Sequence, residues 1–157
     1  MVLIANLSKL SLLKRDVEDI NGLIVQLTDR PISYSNLELK RFLKQKRFYL
    51  MVAIGDDRRI VGMATLTIDD AKMLTQKYNK AKIGDVVVDE SCRGRGIAQS
   101  LMGALIKIAR QYNAVHVSLT SNPNNPNRVA AIRFYERLGF KKIGEINGSN
   151  YYRLDLK

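Results

Sequence analysis

The sequence predicts an α/β domain built on one central mixed sheet. Short apolar runs of strand-like composition alternate with segments whose apolar residues recur at helical spacing. Their order along the chain, β-α-α-β-β-β-α-β-α-β-β, favours one sheet flanked by helices. A chain of 157 residues has the length of one ordinary domain with a real core. We therefore expect a single domain over residues 1–157, with about four helices around the sheet.

The first half of the chain predicts an edge strand, two helices and a hairpin. The stretch "MVLIANLS" starts as an edge strand, and apolar residues at helical spacing predict a helix over 12–27. Pro31 ends that segment. The Ser-x-x-Glu pattern of "SNLE" is a capping box that opens a second helix, which runs to about Lys46. Two strand-like runs, 47–55 and 59–68, flank the turn signal "DDR" and predict a hairpin.

The second half of the chain alternates strands and helices. The valine-rich run 81–89 is apolar enough to be buried on both faces, and an apolar stripe predicts a helix over 97–112. The alternation in "AVHVSLT" predicts a strand, so 82–120 should form a parallel strand–helix–strand crossover. The loop "NPNNPN" leads to a helix over 129–138, which Gly139 stops. Two strands around "NGS" follow.

Composition and charge limit the classes of partner. The net charge is +11 and the pI about 9.9, which favours anionic partners. The densest basic stretch, "KRFLKQKR", is interpreted as a solvated helix face, with an RNA-contacting patch as the alternative. No apolar stretch approaches a membrane span, and the start lacks a signal-peptide pattern. Cys92, the single cysteine, excludes an internal disulfide and a Cys-based zinc site, so we expect a cytoplasmic protein without a metal.

The stretch "VVVDESCRGRGIA" places a glycine-rich turn between a buried strand and a helix. Gly94 and Gly96 can adopt backbone angles that are closed to other residues, so that successive N–H groups converge on one anion. Arg93 and Arg95 add positive charge, and the helix starting at Ile97 has unpaired N–H groups. These features suit a phosphate or pyrophosphate. The P-loop and dinucleotide fingerprints both fail here; a purely structural turn stays as an alternative.

Two segments resemble a known family. "RGRGIA" resembles Arg/Gln-x-x-Gly-x-Gly/Ala, the acyl-CoA pyrophosphate signature of the GNAT superfamily of N-acetyltransferases, with Arg93, Gly96 and Ala98 in its fixed positions. "AAIRFYERLGF" (130–140) is similar to the family's Ala-x-x-Phe-Tyr-x-x-x-Gly-Phe segment. The element order also resembles the GNAT fold over nearly the whole chain. The resemblance implies a splayed sheet and direct acetyl transfer from acetyl-CoA to a primary amine in a ternary complex.

The resemblance also implies where acetyl-CoA binds. Its pyrophosphate would lie on the N–H groups of 94–99, and its peptide-like pantetheine arm would pair with the strand before the turn. The splay between this strand and its parallel neighbour at 115–120 would free the backbone groups for that pairing. The expected cofactor-binding residues are Val86, Val87, Val88, Arg93, Gly94, Arg95, Gly96, Ile97, Ala98, Gln99, Ala131 and Phe134.

The expected catalytic residues are Tyr135 and Asp85. Tyr135 matches the family's tyrosine that is often assigned to protonating the leaving thiolate; packing alone is the alternative. A backbone N–H, that of Val88, would stabilise the developing oxyanion. Asp85 would deprotonate the amine directly or through water, or else serve the strand structurally. His116 is interpreted as a surface or satisfied residue, and a covalent role for Cys92 would be unusual in the family.

One position departs from the family's pattern, and several properties stay open. Where the family often has Asn seven residues before the tyrosine, this chain has Arg128; either it or Asn127 would contact CoA. The segment 28–36 is the expected lid over the amine, which would be glucosamine 6-phosphate, another small amine or a protein amine. A non-enzymatic CoA sensor or nucleic-acid-associated module is the rival hypothesis. The family also makes a homodimer an option.

Overall fold

A computed structural model describes residues 1–28, 30–70, 74–75 and 78–156 and shows a mixed α/β fold. The elements follow the predicted order. Their bounds are β1 Leu3–Asn6, α1 Lys14–Thr28, α2 Asn36–Leu43, β2 Phe48–Ile54, β3 Ile60–Asp69, β4 Lys80–Val88, α3 Ile97–Gln111, β5 His116–Ser121, α4 Val129–Arg137, β6 Lys141–Ile146 and β7 Ser149–Asp155. The predicted fold class is confirmed. The splay of the sheet stays a prediction.

Seven strands form one mixed sheet in the order β1-β2-β3-β4-β5-β7-β6. β1 lies at an edge, as predicted, and pairs antiparallel with β2. β4 and β5 are parallel, with Ala81 opposite Val117, which confirms the predicted crossover around α3. β6 and β7 form an antiparallel hairpin whose two loop residues, Asn147 and Gly148, have φ of 50° and 77°. Such angles are typical of the turn that Asn-Gly favours.

The second helix is shorter than the sequence predicts. Its start is as expected, since the Ser35 hydroxyl accepts from the N–H of Glu38 while the Glu38 carboxylate accepts from the N–H of Ser35. These hydrogen bonds hold the carboxylate in its charged form, which lowers the pKa of Glu38. The helix ends at Leu43, before the expected residue 46. The Gln45 N–H donates to the Phe42 carbonyl at 3.1 Å, and this tighter turn ends the α-helical hydrogen-bond pattern.

The described residues divide into two compact units. The first comprises Met1–Thr67 and Asp85–Ile108, and the second comprises the described parts of Ile68–Gly84 and Ala109–Lys157. The boundaries lie inside β3, β4 and α3. The prediction of a single domain stays a prediction.

In the first unit, α1 and α2 bury their apolar faces against β2 and β3. Val17, Ile20 and Leu23 of α1 pack in one cluster with Leu50 and Val52 of β2. A buried carboxylate fixes the helix to the sheet, because Asp19 contacts the Arg59 guanidinium and accepts the N–H of Ile60 at 2.9 Å. Loss of this carboxylate would leave buried partners unpaired, so α1 has a defined position over the start of β3.

α3 approaches the sheet closely at Gly62 of β3. A Cβ built there would lie 3.3 Å from the Ile97 side chain, 3.3 Å from the Val87 carbonyl oxygen and 3.4 Å from the Leu101 side chain. Ile97 and Leu101 are the first buried residues of α3. Glycine therefore lets the start of α3 lie directly on β3 and β4.

In the second unit, β5 and β7 supply the central core. Val117, Leu119 and Tyr152 are almost fully buried, as are Ala81 and Ile83. The Asn79 side chain donates to the Tyr112 carbonyl at 2.7 Å. This bond joins the residue before β4 to the residue after α3. Across the described ranges, none of the helices is long and apolar enough to cross a bilayer.

We predict opposite stability changes for two alanine substitutions. Gly62→Ala should lower the free energy of unfolding by about 1–3 kcal/mol, because the added methyl meets a backbone oxygen that cannot move aside. Gly103→Ala should raise it by about 0.5–1 kcal/mol, since this α3 position has nothing within 4 Å of a built Cβ and alanine restricts the unfolded chain. Urea unfolding measures both. Equal changes would contradict the close approach.

Candidate functional site

The end of β4 is tied into an ordered turn. The Asp89 N–H donates to the Val61 carbonyl at 2.8 Å, and the Cys92 N–H donates to the Asp89 carbonyl at 2.9 Å. The Asp89 carboxylate accepts the N–H and the hydroxyl of Ser91. Hydrogen bonds from the side chains of Ser91 and Gln26 lower the pKa of Asp89. A charged Asp89 therefore shapes the chain that enters the glycine turn.

The glycine turn has the geometry of an anion cradle. Gly94 and Gly96 have φ of 77° and 76°, and no described neighbour lies within 4 Å of a Cβ built at either position. The Gly96 carbonyl accepts the N–H of Ser100 at 3.0 Å, which makes it the first acceptor of α3. The N–H groups of 97–99 therefore have no intrahelical acceptor. Glycine also has no side-chain oxygen that would cap them.

The side chains around the turn divide into exposed and buried ones. Arg95 and Gln99 are exposed, and Ala98 is half-buried. Ile97 is 5 % exposed, so it belongs to the core and can offer a ligand only its backbone. Arg93 reaches back, because its Nε donates to the Val88 carbonyl at 3.0 Å. This bond fixes the turn to the strand and leaves the terminal guanidinium nitrogens for an anion.

β4 contains a conformational irregularity at Asp85, one of the two predicted catalytic residues. Asp85 has a φ of 37°, an angle that is strained for a side chain within a strand. Its carboxylate is exposed and accepts from the buried Thr65 hydroxyl at 3.4 Å. Val86 is half-buried, whereas Val87 and Val88 are buried. Strain of this kind clusters at functional sites. The sequence interpretation missed Thr65, since nothing in a strand pattern marks its pairing with Asp85.

In the second unit, Tyr135 is anchored by the end of α4. The Phe140 N–H donates to the Tyr135 carbonyl at 3.1 Å, and the Gly139 N–H donates to the Glu136 carbonyl at 3.0 Å. Together with the φ of 95° at Gly139, these bonds form a Schellman motif. The Phe140 ring also lies edge-on to Tyr135, with centroids 6.1 Å apart. The Tyr-x-x-x-Gly-Phe spacing thus fixes the tyrosine, and the predicted helix stop at Gly139 is confirmed.

The environment of Tyr135 controls its ionisation. Burial raises the pKa of the phenol, and the Arg128 charge opposes that rise. The phenol is therefore neutral at pH 7 and carries a proton that it can donate. Phe134 lies beside it, with ring centroids 5.6 Å apart, and Phe134 and Ala131 are both half-buried on α4. Arg128 thus lies near the tyrosine, whereas the Asn127 N–H serves a local turn with Asn125.

His116 and Cys92 have positions that suit structural roles. His116 begins β5, one residue before the Val117 that pairs with Ala81, and its ring packs edge-on against Tyr78. Burial and the Arg153 charge lower the pKa of His116, while Asp155 opposes them, so the ring is neutral at pH 7. Cys92 is half-buried and follows Ser91, whose hydroxyl lies 3.6 Å from its sulfur.

One polar residue near the turn was missed entirely by the sequence interpretation. Gln26 of α1 donates to the Asp89 carboxylate at 2.8 Å and accepts the N–H of Glu90 at 3.0 Å. It therefore joins α1 to the turn across more than sixty residues of sequence. An exposed glutamine in a helix carries no sequence signal for such a contact.

Comparisons with known proteins agree with this geometry. Residues 19–140 match the model of the Acetyltransferase (GNAT) family. An N-alpha-acetyltransferase of Saccharolobus solfataricus is 30 % identical over 142 residues, covering 87 % of this chain and 81 % of that protein. A glucosamine 6-phosphate N-acetyltransferase of Trypanosoma brucei brucei is 37 % identical over 83 residues, which cover 53 % of this chain and 52 % of that protein.

A solved structure shows the same fold over the full length. The crystal structure of a Trypanosoma brucei acetyltransferase superposes with a TM-score of 0.76 at 27 % identity, covering 99 % of this chain and 100 % of that one. The family match extends from α1 to the Schellman motif and includes the whole glycine turn. The chain therefore belongs to the GNAT family of acetyltransferases, which use acetyl-CoA as co-substrate.

Proposed function

We propose that this protein transfers the acetyl group of acetyl-CoA to a primary amine, and that the α-amino group of a peptide is its preferred acceptor. The observation that carries the proposal is the glycine turn. Two residues with φ near 76° and open space around their Cα atoms precede three N–H groups without an intrahelical acceptor. A built anion cradle in this family has one natural ligand, the pyrophosphate of acetyl-CoA.

The residues present fit that ligand. The N–H groups of 94–99 would hold the pyrophosphate, with the exposed Arg95 and the terminal nitrogens of Arg93 adding charge-assisted hydrogen bonds. The backbone of Val86 to Val88 would pair with the amides of the pantetheine arm, and Ala131 and Phe134 would line that arm. When bound, acetyl-CoA supplies an activated acyl group that an amine can attack.

Two side chains would serve as proton acceptor and hydrogen-bond donor in the reaction. Asp85 would attract the amine and accept its proton, directly or through water. The Thr65 hydroxyl donates to this carboxylate at 3.4 Å. Tyr135 would donate a hydrogen bond to the departing sulfur, because burial keeps its phenol neutral. The N–H of Val88 would stabilise negative charge on the reacting carbonyl.

The acceptor is inferred from similarity and from charge. The N-alpha-acetyltransferase relative matches over most of both chains, whereas the glucosamine 6-phosphate enzyme matches over about half of each. A net charge of +11 disfavours a polycationic acceptor. An α-amine has a pKa near 8 and a side-chain amine has a pKa near 10. A carboxylate base therefore needs less free energy to deprotonate an α-amine. The rival hypothesis is non-enzymatic CoA binding. Release of free thiol from acetyl-CoA in the presence of a peptide would exclude it.

Gly96→Val should abolish acetyl-CoA binding. Its side chain would enter the space that we assign to phosphate. Gly148→Val is the matched control, since Gly148 has nearly the same φ of 77° and equally open surroundings but lies in the β6–β7 hairpin. Calorimetry should show binding by the control alone, with competition from adenosine 3′,5′-bisphosphate and little from NAD. Normal binding by Gly96→Val would remove the basis for the proposal.

Asp85→Asn should slow acetyl transfer by roughly 10²–10⁴-fold, the usual effect of losing a positioned base. Asparagine tolerates a positive φ, so the strand should keep its shape. The loss should be greater for a peptide whose only amine is a lysine side chain than for one with a free α-amine, because more of the latter is already deprotonated. Thr65→Val tests the hydrogen bond without removing the carboxylate. Equal losses for both peptides would argue against a base.

Tyr135→Phe should lower kcat by roughly 10²–10⁴-fold and leave acetyl-CoA affinity almost unchanged, because the hydroxyl acts only as the thiolate forms. The wild-type rate should fall as pH rises through the raised pKa of the phenol, above its ordinary value of 10.0. That high-pH decline should be lost in Tyr135→Phe. It should move to still higher pH in Arg128→Gln, which removes the opposing charge. A kcat within about threefold of wild type would return Tyr135 to a packing role.

A further inference from the structure

Gln26 bridges two parts of the first unit that belong to different substrates in the proposed function. Its carboxamide nitrogen donates to the Asp89 carboxylate at 2.8 Å, and its oxygen accepts the N–H of Glu90 at 3.0 Å. A carboxylate can only accept and an N–H can only donate, so both partners require the same orientation of the amide. Rotation of the amide by 180° would break both bonds. The bridge is therefore specific in its chemistry.

On one side of the bridge lies the turn assigned to acetyl-CoA. Asp89 receives hydrogen bonds from Ser91 and Gln26, and its own N–H is held by Val61. Four residues after Asp89, Arg93 is bonded to Val88, and the two glycines follow. The segment that an anion would contact, Gly94 to Gln99, is thus continuous with a hydrogen-bonded stretch that begins at Asp89.

On the other side lies the segment expected to cover the amine. Gln26 is two residues from the end of α1 at Thr28, whose hydroxyl bonds to the Ile24 carbonyl and to the N–H of Arg30. The Asn21 side chain holds Tyr34 at both backbone groups, donating to its carbonyl at 2.9 Å and accepting its N–H at 2.8 Å. Of the predicted lid 28–36, Asp29 lies outside the described residues.

α1 thus holds both the lid and the cofactor turn by side-chain amides five residues apart. We propose that Gln26 is a positioning residue that couples the two, so that acetyl-CoA bound at 94–99 orders residues 30–35 and favours amine binding. The coupling needs no large movement. Once acetyl-CoA has ordered residues 30–35, the amine does not have to order them again, so its binding costs less conformational entropy. By linkage, a bound amine strengthens acetyl-CoA binding by the same factor. This inference rests on the proposed function.

Hydrogen exchange measured by mass spectrometry tests the coupling with acetyl-CoA alone, without knowledge of the amine. In the wild type, saturating acetyl-CoA should slow exchange at 94–99 and also at 30–35. In Gln26→Ala it should slow exchange at 94–99 only, with acetyl-CoA affinity about three- to tenfold weaker, the usual net effect of losing one intramolecular hydrogen bond. Gln45→Ala, an exposed glutamine after α2, should behave as the wild type.

Gln26→Glu separates coupling from general destabilisation. It keeps the acceptor for Glu90 but sets a second carboxylate against Asp89, which raises the pKa of the pair. Below that pKa a shared proton restores the donor, so coupling should be present at low pH and lost as pH rises. A merely structural role would leave the ligand-dependent protection of 30–35 in place in every variant, and that result would overturn the inference.

Two further outcomes are distinguishable. If the wild type does not bind acetyl-CoA, the proposed function falls and the coupling falls with it. If the wild type binds and protects 94–99 but not 30–35, the coupling alone is wrong and the proposed function stands.

Discussion

The position of the glycine turn depends on the close approach of α3 to β3 at Gly62. Because glycine carries no Cβ, Ile97 and Leu101 can lie against the β3 backbone beside the Val87 carbonyl. The buried Ile97 side chain then holds the first turn of the helix in place. The N–H groups of Ile97 and the next two residues have no acceptor inside the helix. One glycine in a strand thus helps to set where these N–H groups lie.

Much of the fold could be predicted because its connections rely on local chemistry. Gly94, Gly96, Gly139 and Gly148 all have φ between 76° and 95°, and each lies in a turn that the sequence marks. The Ser35 capping box and the Asn-Gly hairpin formed as expected, and the order of elements was correct. The predicted end of α2 was wrong: the basic run after Leu43 has helical propensity, but the chain leaves the helix in a tighter turn, where the Gln45 N–H bonds to the Phe42 carbonyl.

The parts of the candidate site that could not be predicted depend on tertiary contacts between polar residues. Gln26 and Asp89 are 63 residues apart, and Thr65 and Asp85 are 20 apart; neither pair has a spacing that any periodic pattern reports. Gly62 lies inside a predicted strand with no signal of its own, since only the packed α3 shows why a side chain is excluded. The strained φ of Asp85 is equally invisible, because the run around it has the composition of a regular strand.

The surroundings of Tyr135 decide what kind of donor it can be. A thiol has a pKa near 8.5 and an ordinary phenol has a pKa near 10. Complete proton transfer from tyrosine to the thiolate is therefore uphill by about 2 kcal/mol. Burial increases that cost and Arg128 reduces it. In the proposed reaction, Tyr135 would therefore act best as a hydrogen-bond donor whose bond strengthens as charge builds on sulfur, and the thiolate would take its proton later from solvent. Arg128 stands where the family often has asparagine. Its positive charge would stabilise negative charge on the tyrosine oxygen or on the sulfur, and so offsets part of the cost that burial adds.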